Sequence, residues 1–144
     1  VRFSILGDGP LKEHLIQKAK DLKLNGCIEF LPSAPDPMPY YKSLDLYLNT
    51  SHHEGIPLSI LEAMACRIPV IAPRVGGIPE ILSNSEIGIL IDNREPHNFA
   101  TACISILENG NMRNSIANNN LKRIQNVFSN SKMADYYYEI YNNH

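Results

Sequence analysis

The chain has 144 residues, 44% of them hydrophobic and 19% charged, which suits one domain with a buried core and excludes a disordered segment. Thirteen Lys and Arg against fifteen Asp and Glu leave a formal charge of −2, so no basic surplus exists to displace counterions from nucleic-acid phosphates. The longest apolar runs, such as residues 69–73 and 87–91, fall far short of the ~18 residues a membrane span needs, no signal peptide is visible, and three widely spaced cysteines without a Cys-x-x-Cys read as reduced thiols in a cytosolic protein.

In chain order, residues 1–6 are apolar and β-branched, a strand that ends at the turn cluster Gly7-Asp8-Gly9-Pro10. Pro10 suits a first helical turn, and Leu11, Leu15, Ala19 and Leu22 recur at helical spacing as far as Leu24, where Asn25-Gly26 stops the helix. Residues 27–31 form a second strand. The four prolines of residues 32–39 exclude regular structure and predict an ordered loop. A short helix is expected over 40–44 and a third strand over 46–49. After a polar loop, 50–56, Pro57 opens a helix through Cys66. A fourth strand covers 69–72, Gly76-Gly77 turns the chain into a short helix over 79–82, and a fifth strand covers 88–91. Helices over 96–108, 112–127 and 132–141 complete the chain.

Short apolar strands alternating with helices specify an α/β fold: a Rossmann-like parallel sheet with helices on both faces. Right-handed crossovers then gather the strand-to-helix loops on one edge, where such folds bind ligands. The loops at 7–9, 31–36, 50–56 and 74–77 are expected there. The chain opens at Val1 already in strand register, which leads to the expectation of a segment from a longer protein.

The most informative stretch is Ser51-His52-His53-Glu54-Gly55-Ile56-Pro57-Leu58-Ser59-Ile60-Leu61-Glu62-Ala63-Met64-Ala65. Gly55 permits close backbone approach, and Pro57 fits the first helical position. The free amides of Leu58 and Ser59 would then face outward at the positive end of the helix dipole, a site suited to phosphate. Glu62, about one turn further in, sits among apolar residues, where a charge needs a polar partner such as the paired hydroxyls of a ribose. Glu54, at the loop tip, would lie on the far side of the phosphates. Hydroxyls, phosphates and a further polyol describe a nucleotide sugar. On spacing alone the bland alternative stays open, that both glutamates merely favour the helix dipole.

This segment resembles the Glu-x7-Glu signature of the retaining, GT-B-fold glycosyltransferases of group 1 (family 4). Further blocks follow the family's order, among them Ile5-Leu6-Gly7-Asp8-Gly9-Pro10-Leu11, Ile28-Glu29-Phe30-Leu31, Ser43-Leu44-Asp45-Leu46-Tyr47-Leu48, Pro69-Val70-Ile71-Ala72 and Val75-Gly76-Gly77-Ile78-Pro79-Glu80-Ile81. Gly88-Ile89-Leu90-Ile91 and the closing Phe128-Ser129 and Tyr138-Glu139-Ile140-Tyr141 continue it, so that nearly the whole chain is covered. The resemblance implies that residues 1–144 are the C-terminal, donor-binding half of a GT-B enzyme. Glu54 would contact the transferred sugar near the reacting centre, and Glu62 would hold the donor ribose. Gly55, Ile56, Pro57, Leu58 and Ser59 would face the sugar and diphosphate. Ser33 and Ala34 would flank the base, with Gly7 toward the phosphates. It implies no cofactor and no metal, the nucleotide-diphosphate sugar being a substrate. The acceptor, a glycan or lipid-linked glycan, would be held by an N-terminal domain not contained in this chain. The expected location is cytoplasmic, including the inner membrane face for the full enzyme, in a setting such as polysaccharide synthesis.

The sequence also departs from the family. The Arg and Lys that grip the diphosphate would lie before Val1. Arg67 stands where Gly usually supplies a left-handed helix cap, so it would either cost on the order of 1–2 kcal/mol or move the cap. Pro57 replaces a common Gly. Gly7-Asp8-Gly9 with Glu29 imitates a dinucleotide fingerprint, but Lys12 takes the place of the third glycine. Gly76-Gly77 reads most simply as a turn and helix start, although the resemblance also implies a place at the interdomain cleft, and His52 and His53 read as polar edge residues rather than catalytic bases. Core packing is expected to explain some of Tyr136, Tyr137, Tyr138 and Tyr141. The resemblance implies that others cover a surface exposed in this segment, since the family's last helix crosses toward the partner domain. Two other readings remain at this level: a GT-B-type nucleotide-sugar epimerase, and a non-catalytic nucleotide-binding domain.

Overall fold

The computed structural model describes residues 1–142. In chain order its elements are β1 (Phe3–Leu6), α1 (Lys12–Asp21), β2 (Ile28–Leu31), α2 (Met38–Tyr41), β3 (Tyr47–Leu48), α3 (Leu58–Ala65), β4 (Val70–Pro73), α4 (Ile78–Ile81), β5 (Ile89–Ile91), α5 (Pro96–Glu108), α6 (Gly110–Val127) and α7 (Asn130–Asn142). The chain divides into two compact units, Val1–Pro37 and the remainder from Met38 onward.

The first unit is one β–α–β crossover. Its strands pair in parallel, with Phe3 opposite Ile28 and Leu6 opposite Leu31. The helix between them stops at Asp21, short of the expected Leu24, because Lys23 adopts a left-handed φ of 56°. The Lys23 amide then donates to the Lys20 carbonyl and the Leu24 amide to the Ala19 carbonyl, which satisfies the last carbonyls of α1.

The second unit is built on a parallel sheet in the order β3–β4–β5. Every residue of the central strand β4 is buried, so both of its faces must be covered. The alternation of the strand decides what covers them. Val70 and Ala72 join Tyr41, Ile60, Met64 and Ile81 in one cluster, which brings α2, α3 and α4 to that face. Ile71 points the other way, into a cluster with Ile91, Phe99, Cys103, Ile106 and Ile116 from β5, α5 and α6. Side chains such as Ile60, Met64 and Ile71 are less than 2% exposed, and each contributes about 1.5–3 kcal/mol by burial. Helices on both faces of a parallel sheet are therefore present, as the alternation of elements implied.

The single ladder expected for the five strands is instead two, β1–β2 and β3–β4–β5. Only Tyr47 and Leu48 of the third strand keep ladder geometry, and they pair with Val70 and Ile71. Other boundaries also move. Helix α2 starts inside the proline-rich stretch because Pro39 falls in its first turn, where a missing amide costs nothing. Pro57 is the N-cap of α3, in extended conformation, rather than its first helical residue. Helix α6 begins at Gly110, two residues early, because the Asn109 side chain caps it by accepting from the Met112 amide at 3.0 Å. The largest correction concerns α7. It has no buried residue, and Tyr136, Tyr137, Tyr138 and Tyr141 are 55–77% exposed, so core packing explains none of them. The contact that Tyr137 and Tyr141 do make is with each other, as stacked rings one turn apart.

Among the described residues no helix is long and apolar enough to cross a membrane, and all three cysteines are free.

Candidate functional site

The loop from β3 to α3 leaves the sheet at Asn49, whose amide makes the last rung to the Ile71 carbonyl at 2.9 Å. Asn49 is only 7% exposed, and both ends of its side chain are used. Oδ1 accepts from the Ser51 amide at 2.9 Å and bends the chain, while Nδ2 donates to Glu54 Oε1 at 3.2 Å. Asn49 thus ties the Glu54 carboxylate to the end of the sheet. Sequence reasoning missed it as a site residue, although an Asn closing a strand before a polar loop is the signal that could have found it.

A second loop holds Glu54 from the other side. Gly76 has a left-handed φ of 53°, and its backbone lies so close to Glu54 that no side chain fits between them. The Gly77 amide donates to the Gly55 carbonyl at 2.9 Å. Gly76-Gly77 is therefore more than a turn and helix start: it clasps the backbone of the Glu54 loop.

Helix α3 begins where this loop ends. The Ile60 and Leu61 amides both reach the Pro57 carbonyl, while those of Leu58 and Ser59 have no backbone acceptor among the described residues. Both lie at the positive end of the helix dipole, where an anion is favoured. Ile56 and Leu58 are exposed beside them, at 60% and 70%. Glu62, half-buried on the second turn, accepts a hydrogen bond at Oε2 from the Tyr41 hydroxyl at 3.0 Å. Burial, and then the hydrogen bond to Glu62, push the Tyr41 phenol far above its ordinary range, so it stays a proton donor. Tyr47 packs 5.9 Å from the Tyr41 ring. Its pKa is raised too, by burial first; the neighbouring Ser59 hydroxyl works against this, and the charges of Glu54 and Glu62 add to it. The two carboxylates thus act on one phenol, on the second unit's sheet edge. His52 and His53 are exposed, and the His52 carbonyl accepts weakly from Arg94 Nη1 at 3.4 Å. Among the described residues no three His, Cys, Asp or Glu side chains come together as a metal site.

Gly7, Ser33 and Ala34 belong to the first unit. The Gly7 amide donates to the Leu31 carbonyl at 3.0 Å, and its φ of 144° is one that L-residues rarely adopt. Asp8, not singled out from the sequence, organises these two loops. Its Oδ2 accepts from the Ser33 amide at 2.6 Å and the Ser33 hydroxyl at 2.9 Å, and Oδ1 meets Lys12 Nζ at 2.7 Å. The Lys12 and Ser33 hydrogen bonds hold the Asp8 carboxyl at a pKa of about 2. Ala34 is exposed beside Ser33. Glu29, the acidic residue of the imitation dinucleotide fingerprint, accepts from the Ser4 hydroxyl at 2.5 Å.

A parallel sheet covered on both faces, with an open helix amino end and two glutamates beside it, defines an α/β domain of the doubly wound type. The group 1 glycosyl transferase profile matches residues 1–123, and the chain belongs to that family. It is 29% identical over 140 residues to the N-acetyl-alpha-D-glucosaminyl L-malate synthase of Bacillus anthracis, covering 97% of this chain and 37% of that protein. The C-terminal domain of LpcC, a group 1 glycosyl transferase of Francisella tularensis, superposes with a TM-score of 0.74 at 31% identity, over 83% of this chain and 63% of that one. Anabaena Alr3699/HepE, solved in complex with UDP, gives a TM-score of 0.87 at 25% identity, over 96% and 41%. The chain thus spans well under half the length of the B. anthracis relative, and its fold is that of the C-terminal half of a GT-B enzyme.

Proposed function

We propose that this chain is the donor half of a retaining glycosyltransferase, which moves a sugar from a nucleotide-diphosphate donor to an acceptor hydroxyl. The observation that carries the reading is the open amino end of α3, with Glu54 in the loop before it and Glu62 on its second turn. In this reading Glu62 grips the ribose diol, and the Leu58 and Ser59 amides face the diphosphate. Glu54 touches the transferred sugar from a loop clasped by Asn49 and Gly77. Family membership and the UDP complex of Anabaena Alr3699/HepE support a nucleotide-diphosphate donor.

The reaction itself asks little acid–base chemistry of these residues. The bond from the anomeric carbon to the diphosphate oxygen breaks, and a bond to the acceptor oxygen forms on the same face. The acceptor proton passes to a phosphate oxygen of the departing nucleoside diphosphate. The helix dipole and oriented amides stabilise that leaving group without a metal. A glycan or lipid-linked acceptor, held by an N-terminal domain, completes the site at the cytoplasmic face, and this segment alone transfers no sugar.

The reading is tested in the full-length protein. Glu62→Ala should weaken binding of the nucleoside diphosphate about 10–100-fold through loss of charged hydrogen bonds, whereas Glu54→Ala should mainly lower turnover. Normal kinetics in both variants would overturn it.

A further inference from the structure

We propose that Tyr41 is a positioning residue for the donor nucleotide, holding the Glu62 carboxylate in the orientation that accepts the two ribose hydroxyls. This rests on the donor-site reading above and names a residue that neither the Glu-x7-Glu spacing nor the helix supplies. Glu62 is half-buried on a helix whose other residues are mostly apolar. A carboxylate there needs a donor. Among the described residues no cation is paired with it, and its hydrogen bond comes from the Tyr41 hydroxyl, 21 residues earlier in the chain.

Tyr41 is suited to the task because it cannot move much. Its side chain is 6% exposed and packs in the cluster of Ile60, Met64 and Val70. The Tyr47 ring lies tilted against it at 55°. A rigid ring places its hydroxyl without losing rotamer entropy at the moment of binding. The hydrogen bond occupies one position on Oε2 and leaves Oε1 and the second lone pair of Oε2 for a ligand. A vicinal diol must meet a carboxylate with two parallel bonds, so the plane of that carboxylate decides whether both form. Free rotation of Glu62 would leave one hydroxyl badly aligned.

The test separates this role from a structural one. UDP, ADP and GDP are titrated against the full-length protein by calorimetry, and the tightest binder is compared with its 2′,3′-dideoxy form. In the unmodified protein, removal of both hydroxyls should weaken binding by about 30-fold or more, as expected for bonds to a charged group. In Y41F that ratio should shrink about fivefold or more, and Y41F should add nothing further in an E62Q background. A Y41F variant that weakens both nucleotides equally marks a merely structural residue and overturns the proposal. Should Y41F not fold, the unmodified protein labelled with [13Cζ]tyrosine decides. The ribonucleotide must shift the Tyr41 resonance more than the dideoxy form does, and equal shifts overturn it. Failure of the unmodified protein to bind any of the three nucleotides instead sinks the donor-site reading, and this inference with it.

Discussion

A methyl group on Gly76 would lie 1.7 Å from the carbonyl oxygen of Glu54, well inside van der Waals contact. Two loops that are 22 residues apart in sequence are therefore in backbone contact, and they can be so only because one of them carries no side chain there. The position also has a left-handed φ, so glycine is required twice over.

Gly76→Ala should consequently push the Glu54 loop out of place. Turnover of the full-length enzyme is expected to fall about hundredfold, the scale set by misplacement near 1 Å. Nucleotide affinity, which the proposed function assigns to Glu62, should change far less. Steady-state kinetics beside calorimetric titration checks both, and unchanged turnover would refute the clasp.

The Asp8 clasp in the first unit titrates in a defined direction. Its folded pKa, about 2, lies below the ordinary 3.8, so its contribution to stability is complete above pH 3.8 and is lost as pH falls through about 2. An NMR titration of the Asp8 carboxyl should give its midpoint near 2. Lys12→Met should move that midpoint upward, since the Lys12 hydrogen bond is its largest cause.

Arg67 keeps the cap that glycine would ordinarily make. Its φ is 62°, its amide bonds the Met64 carbonyl, and the Ile68 amide bonds the Ala63 carbonyl, so the residue is strained and the cap has not moved. The Arg67 guanidinium also donates to Asn118 at an exposed position, a bond that returns little. Arg67→Gly should raise stability by about 1 kcal/mol, measured by urea denaturation. A destabilised variant would show that the Asn118 contact outweighs the backbone strain.

Asn120 should behave in the opposite way. It is fully buried on α6, and its Nδ2 donates to the Ile68 carbonyl at 2.8 Å, just beyond the α3 cap. Asn120→Ala strands that carbonyl away from water and should cost about 1–3 kcal/mol. Thermal unfolding gives the answer directly, and a neutral substitution would mean that water reaches the carbonyl.

Much of this molecule is legible in its residues taken in order. The alternation of short apolar strands with helices specifies a parallel α/β fold, Pro57 marks the start of α3, and the distance from Glu54 to Glu62 is a property of the chain itself. These features are local: they depend on propensity, period and neighbours within a few residues, which a sequence displays directly. Tertiary structure alone decided that the Tyr41 hydroxyl meets Glu62, that Gly76 abuts Glu54, that Asn49 tethers the Glu54 carboxylate, and that Asp8 joins two loops through Ser33. It also decided which strands share a ladder, and that the α7 tyrosines face solvent although an aromatic cluster reads as core. Contacts between distant residues form only after the chain has closed on itself. Burial is settled by what packs against a side chain, and neither is written in the side chain's own identity.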